Sequence, residues 1–288
     1  MKRYIINIIL IVTMLIGIGL LLYPSISNYL NSKVQTKVIS TYTDATKDLS
    51  ENENQALIDA AHEYNQRLAS TSGAFYDPSS VSGYDSTLNA AGTGVMGYLT
   101  IEKIGVELPV YHGVDDDVLQ IAVGHLPGTS LPVGGETTHA VMSGHRGLPG
   151  ARLFTDLDKM EIGDTFYITV LKDVYTYQVD QIKTVTPFEV DDLQLERGKD
   201  YCTLFTCTPY GINTHRMLVR GVRIETIEKK KIYIKNEAFR ISPYIVTPLV
   251  ATPMLVVLLI YVMFSGRKTV RTHRDSKRLK KQQEKKNA

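Results

Sequence analysis

Asp200-Tyr-Cys-Thr-Leu-Phe-Thr-Cys207-Thr-Pro-Tyr-Gly-Ile-Asn-Thr-His-Arg216-Met-Leu-Val-Arg-Gly-Val-Arg223 is the stretch that decides how this chain folds. Up to Cys207 it alternates like a strand, Thr-Pro-Tyr-Gly-Ile-Asn interrupts it, and residues 217–224 resume the pattern. Pro, Gly and Asn between two such runs mark a chain reversal, so the stretch predicts an antiparallel pair. Cys207 then closes one strand and Arg216 opens the next. A thiol at a strand end is open to a substrate. Cys202 lies five residues earlier, an odd spacing in a structure of period two, so the two thiols point to opposite faces. Their Cα atoms stand about 16 Å apart along an extended strand, whereas a disulfide needs about 7 Å or less. Both are therefore free thiols, Cys202 in the core and Cys207 at the edge.

Working outward, strand-like alternation or β-branched content recurs at 96–101, 106–111, 139–143, 164–171 and 175–182. Short strands at near-regular spacing with turn signals between them predict a mainly β domain, a closed or nearly closed barrel. Helical turns are expected at 116–122 and 151–157. Leu57, Ala60, Ala61, Tyr64 and Leu68 recur at helical spacing and predict a helix over 52–68 that lays one apolar stripe on the domain. From 69 to 94 the chain turns to Ser, Gly, Asn, Thr and Ala, with Asp77-Pro78 inside. Loops of that length are functional lids or disordered linkers.

Both ends are apolar. Residues 4–23 are nearly uncharged and long enough to cross a bilayer, and 243–264 form a second such run containing Pro248 and Pro253. A cleaved signal peptide is the competing reading of the first run, but no clear small-x-small cleavage site follows Pro24. The formal net charge of +2 hides an asymmetry, since 267–288 carries ten Lys/Arg against Asp275 and Glu284. A basic tail beside a span marks a cytoplasmic end, and Lys2 and Arg3 place the N-terminus on the same side. The chain is thus expected to cross the cell membrane twice with the domain between the spans outside. The tail lacks aromatic residues and directly follows a span, so anionic lipid head groups are its expected contact, not nucleic acid.

Thr203-Leu-Phe-Thr-Cys207 resembles the sortase signature Thr-Leu-X-Thr-Cys, with Arg216 nine residues beyond the cysteine and Ser143-Gly-His145-Arg-Gly upstream. The runs Thr206-Cys-Thr-Pro-Tyr-Gly-Ile-Asn-Thr-His-Arg216 and Ser143-Gly-His-Arg-Gly-Leu-Pro-Gly-Ala-Arg-Leu-Phe-Thr-Asp-Leu157 are similar to class C sortases, the pilin-polymerising branch. The resemblance covers roughly 95–225. It implies an eight-stranded β-barrel, with Cys207 as nucleophile, His145 as general acid and base, and Arg216 stabilising the oxyanion or orienting the peptide. It further implies a sorting signal of the Leu-Pro-x-Thr-Gly kind at the C-terminus of a pilin or surface protein. That signal is cut between Thr and Gly through a thioacyl intermediate, which a pilin lysine amine resolves. His62 on the expected helix and His273 on the tail are out of place for the base; His112, His125 and His139 lack the matching context, and His215 points away from Arg216. Arg220 shares the face of Arg216 and is expected to be a solvated strand residue.

Class C enzymes carry a lid in which Asp-Pro precedes an aromatic residue, the carboxylate pairing with the catalytic arginine while the ring covers the cysteine. Here Asp77-Pro78 precedes Ser79, which leaves Phe75, Tyr76 or Tyr84 to supply the ring. No His or Cys/His set has metal-ligand spacing and no glycine-rich nucleotide loop occurs, so no cofactor is expected. The expected organisation is a first span at 1–24, a helical linker and lid at 25–94, the barrel at 95–228, a connector at 229–242, the second span at 243–264 and a basic tail at 265–288. Two rivals share the chemistry: a sortase that anchors surface proteins to a peptidoglycan precursor, and a cysteine protease in which water resolves the intermediate.

Overall fold

The computed structural model describes residues 2–226, 251–257 and 260. The expected connector 229–242 and basic tail 265–288 lie outside the described residues, and of the expected second span 251–257 and 260 are described, as helix. Ser27–Tyr233 forms one compact unit, to which the barrel and its packing belong.

The first helix, α1, runs over Lys2–Lys47 without stopping at Pro24. Its apolar part, with a mean hydropathy of 2.4, is long and apolar enough to cross a membrane. At 1.5 Å per residue the helix is about 69 Å long, against about 30 Å for a bilayer core. The sequence predicts no helix directly after the first span, and the reason for the difference is chemical. From Ser27 onward the face of α1 that packs inward is Asn28, Asn31, Gln35, Val38, Tyr42 and Thr46. This stripe has helical spacing, yet polarity hides it from a search for apolar periodicity. It docks through hydrogen bonds: Gln35 Nε2 donates to the Ile121 carbonyl at 2.7 Å, and the Tyr42 hydroxyl donates to the Met96 carbonyl at 3.0 Å while accepting from the Leu171 amide at 2.7 Å.

Helix α2, Glu51–Ser70, begins at a reciprocal cap between Ser50 and Glu53 that satisfies two otherwise orphaned donors. It buries Ala61, Tyr64 and Leu68 of the expected stripe, together with Ile58, Asn54 and Asn65, while Leu57 is only half-buried and Ala60 is exposed. Asn65 is clamped at both ends of its amide, to the Leu131 carbonyl at 3.0 Å and the Leu131 amide at 2.7 Å.

Eight strands close a barrel in the order β1-β2-β3-β4-β7-β8-β6-β5. They are β1 Val95–Ile101, β2 Val106–His112, β3 Val123–His125, β4 Thr138–Ser143, β5 Thr165–Val170, β6 Asp173–Val185, β7 Asp200–Thr208 and β8 His215–Ile224. The three residues of β3 are too few to show a period, so the sequence leaves this strand unread. Strand β6 overruns its expected end and carries a register shift between Val179 and Gln181. A short helix α3, Asp116–Leu119, occupies the first expected helical turn, whereas at 151–157 the chain makes irregular turns and only Leu157–Lys159 forms a single 3-10 turn.

Most ladders are antiparallel, but β4 pairs with β7 in parallel, from Thr138 opposite Asp200 to Ser143 opposite Phe205. Parallel partners end at the same edge of the sheet. The exit of β4 and the exit of β7 therefore lie side by side. Side chains alternate across the wall, with Ala140, Met142, Cys202, Leu204, Met217 and Val219 in the main core. Val141, Leu218, Val185 and Leu193 form a second, outer cluster, against which Phe75, Leu126, Val190 and Phe205 pack.

Arg220 departs from the expectation of a solvated strand residue. It pairs with Asp180 through two hydrogen bonds, at 3.1 and 2.7 Å, and its guanidinium lies 4.1 Å from the centroid of the Tyr201 ring. The aromatic face next to it on β7 and the carboxylate beside the β6 irregularity supply partners that strand periodicity alone does not reveal.

Candidate active site

Strand β7 brings Cys207 to its exit, half-buried, while Cys202 is fully buried, as the odd spacing requires. Opposite Cys207 on the neighbouring strand stands Arg216, its direct cross-strand partner in the β7–β8 ladder. Residues opposite each other on one face bring their Cβ atoms to about 5 Å. Between them the β7–β8 turn is built on Asn213, which takes a left-handed φ of 61° that asparagine tolerates better than most residues. This conformation presents the Asn213 carbonyl to Arg216, whose Nη1 donates to it at 3.1 Å and to the His215 carbonyl at 3.1 Å.

His145 arrives from the other side. The Gly144 amide donates to the Phe205 carbonyl at 3.1 Å, and the Thr206 hydroxyl donates to the Gly144 carbonyl at 2.7 Å, so the parallel register extends past Ser143. His145 is the next residue of the chain, and the same register continued one step would pair it with Cys207. Gly144 is required here because a Cβ would meet the Phe154 ring at 2.7 Å. The Phe154 amide in turn donates to the His145 carbonyl at 3.1 Å.

The residue after each of these two is also tied. Arg146 Nη1 donates to the Thr208 hydroxyl at 3.3 Å, its Nε to the Thr155 carbonyl at 3.3 Å, and its Nη2 pairs with Asp158 at 2.5 Å. The sequence reading passes over Arg146, although its place between His145 and Gly147 was a signal. Only 8% of its side chain is exposed, against 46% for Asp158, so the pair is half desolvated and worth more than a surface ion pair.

The outer apolar cluster leads to this edge. Phe205 precedes Cys207 by two residues on the same face of β7, and Leu218 follows Arg216 by two on β8. Val190 and Leu193 of the β6–β7 connection and Leu126 wall this strip, and Phe75 from the 71–94 segment lies on it. Gly128 makes that approach possible, since a Cβ there would stand 2.9 Å from the carbonyls of Ala74 and Phe75.

Of the three rings expected as a cover, Phe75 is the one on the strip. Tyr76 is 72% exposed and stacks edge-on against Phe75 at 5.3 Å. Tyr84 turns inward, its hydroxyl 2.9 Å from His125 Nδ1 and accepting from the Gly113 amide at 3.0 Å. Asp77 is exposed and accepts from the Ser79 hydroxyl at 2.6 Å, and Pro78–Ser80 forms a single 3-10 turn. Among the described residues no ion pair or hydrogen bond joins Asp77 to Arg216.

The remaining barrel histidines have other partners. His125 lies between Tyr84 and the Ser130 carbonyl, 2.8 Å from Nε2, and burial pushes its pKa down to about 4. Burial likewise lowers His139, whose nitrogens face the Gln194 carbonyl at 2.9 Å and the Thr203 hydroxyl at 2.7 Å. His112 faces the carbonyls of Gly94 and Thr87 at 2.9 and 2.8 Å.

Residues 99–224 match the Sortase domain family. A solved structure of sortase C1 from Streptococcus agalactiae is 48% identical, with a TM-score of 0.61, and the match covers 66% of this chain and all of that one. The chain belongs to the sortase family. A solved Clostridium perfringens sortase C with the C-terminal cell wall sorting motif is 43% identical, with a TM-score of 0.57, the match covering 66% of this chain and all of that one. Sortase A of Streptococcus agalactiae is 32% identical over 40% of this chain, and the match spans about half, 47%, of that relative's length. These two solved structures, 48% and 43% identical and both sortase C, put this sortase with class C.

Proposed function

We propose that this sortase is a membrane-anchored cysteine transpeptidase that joins pilin subunits outside the cell. The observation that carries the proposal is Arg216 opposite Cys207 in the β7–β8 ladder, with the parallel β4–β7 register, which runs to Ser143 opposite Phe205, directing the His145 segment toward the same edge. The Cys207 thiolate attacks the Thr–Gly carbonyl of a Leu-Pro-x-Thr-Gly signal, and the C=O electron pair moves onto oxygen. Arg216 stabilises that oxyanion or orients the peptide, since a guanidinium stays protonated and has donors beyond the Nη1 already engaged. The tetrahedral centre collapses, the C–N bond breaks, and His145 in its imidazolium form protonates the departing glycine amine. The resulting thioester is attacked by a lysine ε-amine, from which His145 takes a proton. The C–S bond breaks, the thiolate leaves, and an isopeptide bond remains.

The apolar strip from Val141 through Phe205 and Leu218 to Cys207 suits the leucine end of such a signal, because an extended peptide laid along it buries apolar area at about 25 cal/mol per Å². Helix α1 supplies one span, and the basic flanks favour both termini in the cytoplasm. The test is product mass. Full-length enzyme is incubated with a sorting-signal protein and a purified pilin carrying the acceptor lysine. Loss of the Gly-side fragment with formation of a lysine-linked conjugate is expected. Hydrolysed product alone, at every acceptor concentration, means a protease; a conjugate formed only with a peptidoglycan-precursor amine means an anchoring enzyme.

A further inference from the structure

We propose that Asn28 and Asn31 of α1 are positioning residues for His145, acting through the strap that connects β4 to β5. The proposal rests on the reading of His145 as the acid–base group. The strap leaves β4 at Ser143, carries His145 and Arg146, and has no regular structure until the single turn at Leu157–Lys159. Among the described residues no ladder holds 146–156, so the place of this strap is set by the bonds that reach its backbone from outside.

Two of those bonds come from α1, more than a hundred residues away in sequence. The Arg152 amide donates to Asn28 Oδ1 at 2.9 Å, and Asn31 Nδ2 donates to the Gly150 carbonyl at 2.7 Å. The backbone at Gly150 lies so close to the helix that a Cβ there would stand 2.6 Å from Ser27 Oγ. Two residues beyond Arg152, the Phe154 amide holds the His145 carbonyl. Thr155 holds the other side, its hydroxyl accepting from the Gly147 amide and its carbonyl from Arg146 Nε, each at 3.3 Å. A continuous run of hydrogen bonds and a few chain residues thus leads from helix face to the His145 backbone. Asn28 and Asn31 are one turn apart, so they grip the strap at adjacent points and fix its direction as well as its distance. A polar face serves this purpose where an apolar one would not, since a leucine stripe tolerates sliding and an amide paired to one carbonyl does not.

The two amides are used in opposite senses, and this makes the inference testable. Asn28 only accepts, so Asn28→Asp keeps the bond. Asn31 only donates, so Asn31→Asp sets a carboxylate oxygen against the Gly150 carbonyl. Full-length enzyme in detergent is assayed for transpeptidation of a sorting peptide, with hydrogen exchange followed over 146–156. Asn28→Ala and Asn31→Ala should each lower kcat about fivefold, the worth of one ordinary hydrogen bond, with KM within about twofold and faster exchange at the Phe154 amide. Asn28→Asp should stay within about twofold of wild type, and Asn31→Asp should fall at least as low as Asn31→Ala. Gln35→Ala, which removes a bond of the same kind from α1 to Ile121, should leave kcat and strap exchange unchanged. Equal behaviour of the two Asp variants, or a Gln35→Ala loss as large as that of Asn31→Ala, overturns the proposal. The exchange readout does not depend on which group moves protons, so if His145→Ala retained activity the acid–base reading would fail while the mechanical link could still be measured.

Discussion

Replacing Phe75 by alanine should speed acylation of Cys207 by a sorting peptide, and replacing Asp77 should not. Phe75 lies half-buried against the cluster of Val141, Val185, Leu193 and Leu218, with which Phe205 also packs, so a peptide laid along the whole strip to Cys207 would have to displace it. Full burial of such a side chain is worth about 1.5–3 kcal/mol, and half of that, about 0.75–1.5 kcal/mol, applies here. The open fraction of the 71–94 segment should then rise about four- to twelvefold in Phe75→Ala, and kcat/KM for acylation with it, provided the closed state dominates in the wild type. Phe75→Leu keeps most of the apolar area and should gain no more than about threefold. Asp77 is exposed and its carboxylate bonds to Ser79 within its own turn. Asp77→Ala should thus change the rate less than about twofold, as exposed polar contacts do. The assay is single-turnover release of the glycine-side fragment at subsaturating peptide. A larger effect from Asp77→Ala than from Phe75→Ala would show that a carboxylate–arginine latch, not the apolar contact, holds the segment down. A slower Phe75→Ala would show instead that the ring is part of the peptide's own binding surface.

Cys207→Ala should abolish joining with little change in melting temperature, whereas Cys202→Ala should keep activity and lose about 1–2 kcal/mol from a small core void; similar activity losses in the two would unseat Cys207. Arg216→Lys keeps the charge without the planar fork and should cost about 10–100-fold in kcat/KM; full activity in that variant would reduce the role of Arg216 to its charge. The acid side of the stability profile should show His125. Its folded pKa of about 4 lies below the unfolded value of 6.5, so the unfolded chain binds the extra proton between them. Stability from this group is complete above about pH 6.5 and falls as the pH drops toward 4, by up to about 3 kcal/mol. Thermal melts of wild type and His125→Gln should converge in that window, and parallel curves from pH 7 to 4 would contradict the assignment.

The barrel was legible where strands were long and alternated. Strands β1, β2, β4, β5, β7 and β8 fall on the expected segments, because each has one face in the main core and a period of two carries that signal. Three kinds of feature were not legible. Strand β3 was too short for any period. Arg220 was misjudged because its partners, Asp180 and Tyr201, sit on flanking strands and no local pattern predicts which side chains a neighbour will offer. The length of α1 was missed because its inward face is held by amides and a phenol. At the site, the motif around Cys207, His145 and Arg216 could be read; Arg146 stood within it and was passed over, and the strap bonds that hold it left no local pattern.

That contrast follows from how the site is built. Cys207 and Arg216 are nine residues apart and joined by one turn, so their adjacency is a local fact that sequence spacing encodes. His145 follows β4, which lies parallel to β7, and that pairing leaves no mark in spacing because β5 and β6 intervene between β4 and β7. Such a pairing aligns backbones but leaves the residue just beyond the ladder without a fixed place. The bonds from Arg146 to Thr208 and from Phe154 to His145 supply what the ladder lacks. Arg146→Lys separates the two contributions. A lysine ammonium can reach Asp158 but cannot also serve Thr155 and Thr208, since it lacks the guanidinium's fork. If the ladder alone located the base, kcat would be unchanged. If the fork does, kcat should fall about tenfold with KM nearly constant, as expected when a base is displaced and peptide binding is not. A rise in KM at constant kcat would instead assign Arg146 to peptide binding and leave the placement of His145 to the strap's other bonds.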